Sequence, residues 1–250
     1  MVATARWDAL GTWCEVLTLD DDDLPAVAEV ARAQVADLDR ACSVVRTDSE
    51  LAGLAKGSPQ HVSQLLAGAA AAALRMTDFS GGLVGPGAGW QSVTLDTVRG
   101  LLTIPEDVEL DLCPSAKAWL ADQIAGFCAD EFGIGCLVNL GGDIAVRGAV
   151  PPGGWQVEID DGHPGPRGRP VIPMTWSGGL ATSSSTLGSW RTVTVAARSC
   201  ERASAASTAA VALGDSAPRW LTQRELPARL AHAGGVVVQT NGWPRQRWVA

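Results

Sequence analysis

Apolar residues recur at helical spacing from Leu24 onward. Val27, Ala31, Val35, Leu38 and Cys42 would share one face, which predicts a helix. The acidic turn Asp20–Asp23 sits where that helix would present its positive dipole end. Ser49 is placed to cap a short following turn. A second helix is expected from Ser63 to Met76, ending before Ser80-Gly81-Gly82. A third opens at Pro114, whose missing N–H costs nothing in a first turn. It carries Trp119, Leu120, Ile124 and Phe127 on its apolar side and stops at Gly133. Ala203–Leu213 reads as a helix of small residues ending at Gly214, and Pro218–Arg224 and Leu226–His232 as two short ones.

Strands fall between these segments. Ala9–Leu19 reads as a strand pair or a bent strand, with Gly11 as a bulge or close backbone approach. Val93–Leu95 and Leu101–Ile104 flank a turn at Thr97–Gly100, after a Gly/Pro loop at Gly85–Gly89. Cys136–Leu140 is a continuous apolar run broken only by Asn139, as a buried strand would be. Gly141-Gly142 ends it, and Ile144–Val146 resumes it. Trp155–Ile159 alternates as a half-buried strand does, His163–Pro170 reads as a polar Gly/Pro loop, and Thr192–Ala196 and Val236–Gln239 complete the set. Strands and helices mix without strict βαβ alternation, so α+β is favoured over a doubly wound sheet. There is no internal repeat and no linker, and residues 1–250 are expected to form one compact unit.

Composition narrows the function. The chain carries a formal charge of −8 and has no basic run. It therefore lacks the clustered Lys/Arg face that tracks phosphates, and nucleic-acid binding is not expected. Six cysteines form no C-x-x-C pair, and the three histidines stand alone, which argues against zinc. No secretory leader opens the sequence, and the alanine-rich run Ala67–Leu74 is too short to span a bilayer. Reduced cysteines in apolar runs suit a cytoplasmic protein.

Three segments can carry chemistry. In Leu137–Asp143 the paired Gly141 and Gly142 at a strand end would let a flat ligand or a phosphate approach the backbone; alone, the pair reads better as a glycine β-bulge. In Glu109–Lys117 a helix start offers free N–H groups to an anion, and Lys117 could meet a phosphate as a point charge. The other reading is a solvated Lys beside a capping Asp111. In Ala203–Ala210 small side chains permit close approach, and Ser204 and Thr208 lie one turn apart on one face; a tightly packed core helix explains that segment at least as well.

Taken in order, these segments resemble the ApbE family, the FAD:protein FMN transferases. Gly11-Thr12, Arg46–Leu51 with its Ser49-Glu50-Leu51, Leu110-Asp111-Leu112 with Ala116-Lys117, Asp122, Leu137–Asp143, Thr182-Ser183 as a turn, and the strand and helix at Trp190–Ala196 and Ala203–Gly214 match family elements along nearly the whole chain. The departures are specific. Segments expected near 84–85 and near 187–188 are absent, Ala118 stands where the family has Gly, and Ser204 stands where the family has a metal-binding Asp, while Thr208 keeps its place.

The resemblance implies transfer of FMN from FAD to a Thr or Ser of a target protein, with release of AMP. It implies FAD as substrate and Mg2+ as cofactor. The nucleotide would be held by Ala116, Lys117, Asn139, Gly141, Gly142, Asp143, Thr182 and Ser183, and the metal by Ala116, Ser204 and Thr208. A neutral Ser204 in place of a carboxylate implies weakened magnesium binding and reduced activity. An FAD pyrophosphatase of the same fold, a flavin-binding protein without catalysis and a partner subunit are the alternatives.

Overall fold

The computed structural model describes residues 2–161, 168–240 and 242–249. The chain opens with a hairpin, β1 (Ala3–Ala9) and β2 (Thr12–Thr18). Leu10 and Gly11 form its tip with φ of 53° and 68°, the twist that matches two right-handed strands. Gly11 is thus a turn residue rather than a bulge, and the first strand lies ahead of the segment in which the sequence pattern predicts one.

α1 (Leu24–Cys42) buries Val27, Ala31, Val35, Leu38 and Cys42, the stripe its periodicity predicts. Each fully buried Val or Leu contributes about 1.5–3 kcal/mol. The Ser49 Oγ accepts from the Ala52 N–H at 3.1 Å and closes the short turn Leu51–Gly53. β3 (Gln60–His61) precedes α2 (Gln64–Ser80), where Ser63 is the N-cap and Gly81, at φ 71°, the C-terminal stop. Glu50 accepts from both the N–H and the O–H of Ser63. β4 (Thr94–Asp96) and β5 (Leu101–Thr103) follow. α3 (Cys113–Glu131) buries Leu120 and Ile124. Phe127, expected on that apolar side, is instead exposed and packs edge-on against Phe132 at 5.4 Å.

β6 (Cys136–Leu140) is buried throughout, and β7 (Asp143–Arg147) runs back beside it. The glycines between them therefore reverse the chain, where the pattern suggests a strand that resumes. β8 (Trp155–Glu158), β9 (Arg169–Met174), β10 (Gly178–Ser184) and β11 (Trp190–Ala197) come next. Most of the loop expected at His163–Pro170 lies outside the described residues; Arg169 and Pro170 belong to β9. Thr182 and Ser183, expected in a turn, are strand residues of β10. α4 (Cys200–Leu213) and α5 (Ala217–Gln223) precede β12 (Ala228–His232), β13 (Val237–Gln239) and β14 (Arg247–Val249). The helix expected over Leu226–His232 is thus largely a strand, paired with β11 and β13.

The main sheet has the order β1-β2-β6-β7-β10-β11-β12-β13, with antiparallel neighbours throughout. Its side chains alternate between two faces. Val16, Val138 and Ala145 pack with residues of α1, α2 and α3. Leu137, Ile144, Leu180 and Ala196 pack with Val157 and Ile172 of the small sheet β14-β9-β8. Helices thus cover one face and a second sheet covers part of the other, an α+β arrangement in one compact body. Among the described residues no helix is long and apolar enough to cross a membrane.

Candidate functional site

The tip of the β6–β7 hairpin organises the site. Gly141 and Gly142 have φ of 70° and 97°, values that L side chains rarely adopt. Gly141 donates its N–H to the Trp13 carbonyl at 2.9 Å, and a Cβ on it would lie 2.7 Å from the Thr12 side chain. Gly142 donates its N–H to Asn139 Oδ1 at 2.8 Å, and the space beside its α-carbon is open. Asn139 therefore shapes the tip as much as it lines a pocket.

On the small-sheet side, a cleft of about 660 Å3 runs from this tip. Trp13, Asn139, Gly141, Gly142, Gln156 and Thr182 line it. The Thr182 hydroxyl lies 2.9 Å from the Thr194 hydroxyl on the neighbouring strand. Arg6 covers Trp13 at 4.4 Å, and Glu15 is pushed up by burial and eased back by Arg6. Sequence reasoning missed Arg6, Trp13 and Glu15, whose only signal is their nearness to Gly11-Thr12.

The helix side of the same sheet end holds the remaining polar groups. Asp143 opens β7, nearly buried. Burial pushes its carboxyl up to about 6, against the Lys117 ammonium and the Ser204 hydroxyl, which both hold it down. Lys117 and Ser204, from α3 and α4, thus converge on one strand residue. One turn further along α4, the exposed Thr208 puts its Oγ1 2.9 Å from Ser183 Oγ, which is equally close to Ser207 Oγ. Ser115, Ser204, Thr208, Val84 and Gly85 share a small cavity of about 50 Å3, room for little more than water. The Asp111 N–H donates to the Pro86 carbonyl at 2.8 Å and fastens the 84–89 loop across this face.

Two further residues of the resemblance are tied up within the fold. Ala116 is fully buried, and its N–H is spent on the Leu112 carbonyl at 2.8 Å, inside the helix. Its amide has no capacity left for an anion. Asp122 is a clamp: one oxygen accepts from Arg147 and the other from the Glu201 N–H, both at 2.9 Å, tying α3 to β7 and α4. Burial still raises its carboxyl above the ordinary range. Among the described residues no group of three His, Cys, Asp or Glu is arranged to hold a metal.

The two places where segments were expected lie near this end of the sheet. Val84 and Gly85 border the Thr208 cavity. Leu187 and Gly188 are in the turn from β10 to β11, and their N–H groups donate to Ser185 Oγ at 3.2 and 3.1 Å. Register puts that turn and the Gly141–Gly142 tip at the same strand ends, since Ala181 pairs with Asp143.

Residues 83–190 match the ApbE family. No curated protein matches the chain. Solved structures do. The flavin transferase ApbE from Vibrio cholerae is 17% identical with a TM-score of 0.80, over 97% of this chain and 98% of that one. The apo flavinyl transferase ApbE of Pseudomonas stutzeri is 18% identical with a TM-score of 0.80, over 96% of each chain. The ApbE protein of Thermotoga maritima is 17% identical with a TM-score of 0.83, over 96% of this chain and 97% of that one. At these identities the likeness is one of fold. The segment that matches the ApbE family thus lies within a fold that the chain shares along nearly its whole length with these ApbE structures.

Proposed function

We propose that the chain is a flavin transferase that moves FMN from FAD to a Thr or Ser hydroxyl of a target protein. The hydroxyl oxygen would attack the FMN-side phosphorus, the bond to the AMP phosphate would break, and the hydroxyl proton would be lost to solvent or a nearby base. Such a transfer depends on positioning and charge stabilisation more than on covalent help. The observation that carries the reading is the Gly141–Gly142 tip, with a ligand-sized cleft on one side and Asp143, Lys117, Ser183, Ser204 and Thr208 on the other. Asn139, Gly141, Gly142 and Thr182 would border the flavin nucleotide. Lys117 would offset phosphate charge, and the Ser183 and Thr208 hydroxyls would donate to phosphate oxygens.

Magnesium fits these residues poorly. A hard cation prefers carboxylate oxygen. Here the assigned positions supply two hydroxyls and a buried alanine, with Ser204 facing Asp143 and Thr208 next to Ser183. Phosphate oxygens of the dinucleotide would have to supply most of a magnesium ion's ligands. Reduced turnover follows, and the lack of segments near 84–85 and 187–188 points the same way. Six free thiols, five of them buried, support a cytoplasmic setting.

The test is to incubate the protein with FAD, magnesium and a candidate acceptor, measuring AMP and the acceptor's intact mass. AMP release matched by a gain of one FMN per acceptor is expected. AMP release with an unmodified acceptor would make the protein an FAD pyrophosphatase, and FAD binding with no AMP a non-catalytic flavoprotein. Failure to bind FAD would leave the partner-subunit reading.

A further inference from the structure

A second cavity, of about 520 Å3, lies away from this site. Ser177 and Ala197 border it, at the start of β10 and the end of β11. The Gly141–Gly142 tip is at the other end of those strands, about 20 Å along β10. Arg198, Arg202 and Arg224 all line this cavity, in a chain whose net charge is −8.

Two of the arginines are held in place by stacking. The Arg202 guanidinium covers Phe79 at 4.5 Å, and that of Arg224 covers Trp220 at 4.1 Å. Stacking fixes a guanidinium's plane while leaving its N–H edge free to donate. Glu201, the acid next to Arg202, is taken by a two-point contact with Arg75 at 2.9 and 2.7 Å. Among the described residues none of the three arginines is in an ion pair. Glu225 also borders the cavity, in left-handed backbone at φ 53°. Trp176, Leu226, Pro227 and Pro244 supply an apolar wall.

We propose that this cavity is a second small-molecule site, for a phosphorylated ligand with a flat, partly apolar body, of the nucleoside monophosphate class. Three guanidiniums match a phosphate dianion. The indole and proline wall matches a base, and the volume is that of a ligand pocket.

The test is calorimetric titration of the full chain with AMP, adenosine and inorganic phosphate at about 0.15 M salt. AMP is expected to bind at least about tenfold tighter than either fragment. Arg198→Glu, at an exposed position, should weaken AMP at least about tenfold with an unchanged melting temperature. Arg224→Gln should weaken it as well, and Gly142→Leu should leave it unchanged. The last variant separates this site from the cleft of the flavin reading, so either can fail alone. The proposal is overturned if AMP does not bind below ~1 mM, if adenosine or phosphate binds as well as AMP, or if Gly142→Leu abolishes binding that Arg198→Glu leaves intact.

Discussion

The Ser204 hydroxyl on α4 and the Lys117 ammonium of α3 both hold down the Asp143 carboxyl on β7 against its burial. Burial of this carboxyl has a measurable consequence for pH. Burial raises Asp143 from 3.8 to about 6. The folded state therefore holds its proton where the unfolded chain has lost it. The contribution of Asp143 to stability is fully present below pH 4, is lost as pH rises from about 4 to about 6, and levels off above. The full loss is at most about 3 kcal/mol. Thermal melts of Asp143→Asn between pH 4 and 7.5 should lack this component. A parallel pH dependence in both proteins would refute it.

Gly142→Leu should abolish FAD binding, and Gly142→Ala should not. Both carry the cost of a side chain at φ 97°, about 1 kcal/mol, but only Leu reaches across the open approach to the tip. Flavin fluorescence titrations of the two variants decide it. Equal affinity in wild type and Gly142→Leu would remove the tip from the site.

Ser204→Asp would set a second carboxylate against Asp143. Without a cation the pair should repel and lower the melting temperature at pH 7.5. With millimolar magnesium the variant should regain several degrees, and the wild type should gain less. If magnesium moves both proteins alike, position 204 does not face a metal.

Thr208→Ala removes an exposed hydroxyl next to Ser183. Stability should change by no more than about 0.5 kcal/mol. AMP release from FAD should fall at least about tenfold if that hydroxyl donates to phosphate in the transition state. Unchanged AMP release at equal FAD occupancy would exclude the role.

Much of the framework was legible in the residues. The α1 stripe, the Ser63 start of α2, Pro114 in the first turn of α3 and the apolar run of β6 announce themselves by period or punctuation. β10 and β12 do not. β10 reads Gly-Gly-Leu-Ala-Thr-Ser-Ser, with hardly a β-branched residue, and β12 reads Ala-Arg-Leu-Ala-His, nearly all helix formers. Both are strands because neighbours pair with them on both sides, a tertiary demand that overrides local preference. The same limit governs the sites. Asp143, Lys117 and Ser204 each stood in a noticed motif, but their meeting required three elements to pack. Arg198, Arg202 and Arg224 had no motif at all, because a loop, a helix and a turn bring them to one cavity.

The candidate site also straddles a sheet, with its two halves meeting only around the Gly141–Gly142 tip. A dinucleotide bent over that tip would act as two tethered ligands, each raising the effective concentration of the other. Its affinity would exceed that of either nucleotide alone by a wide margin. Cutting the pyrophosphate would sever the tether, and each fragment would then hold on by one side only. Product release would thus be driven by the bond cleavage itself, with no moving lid required.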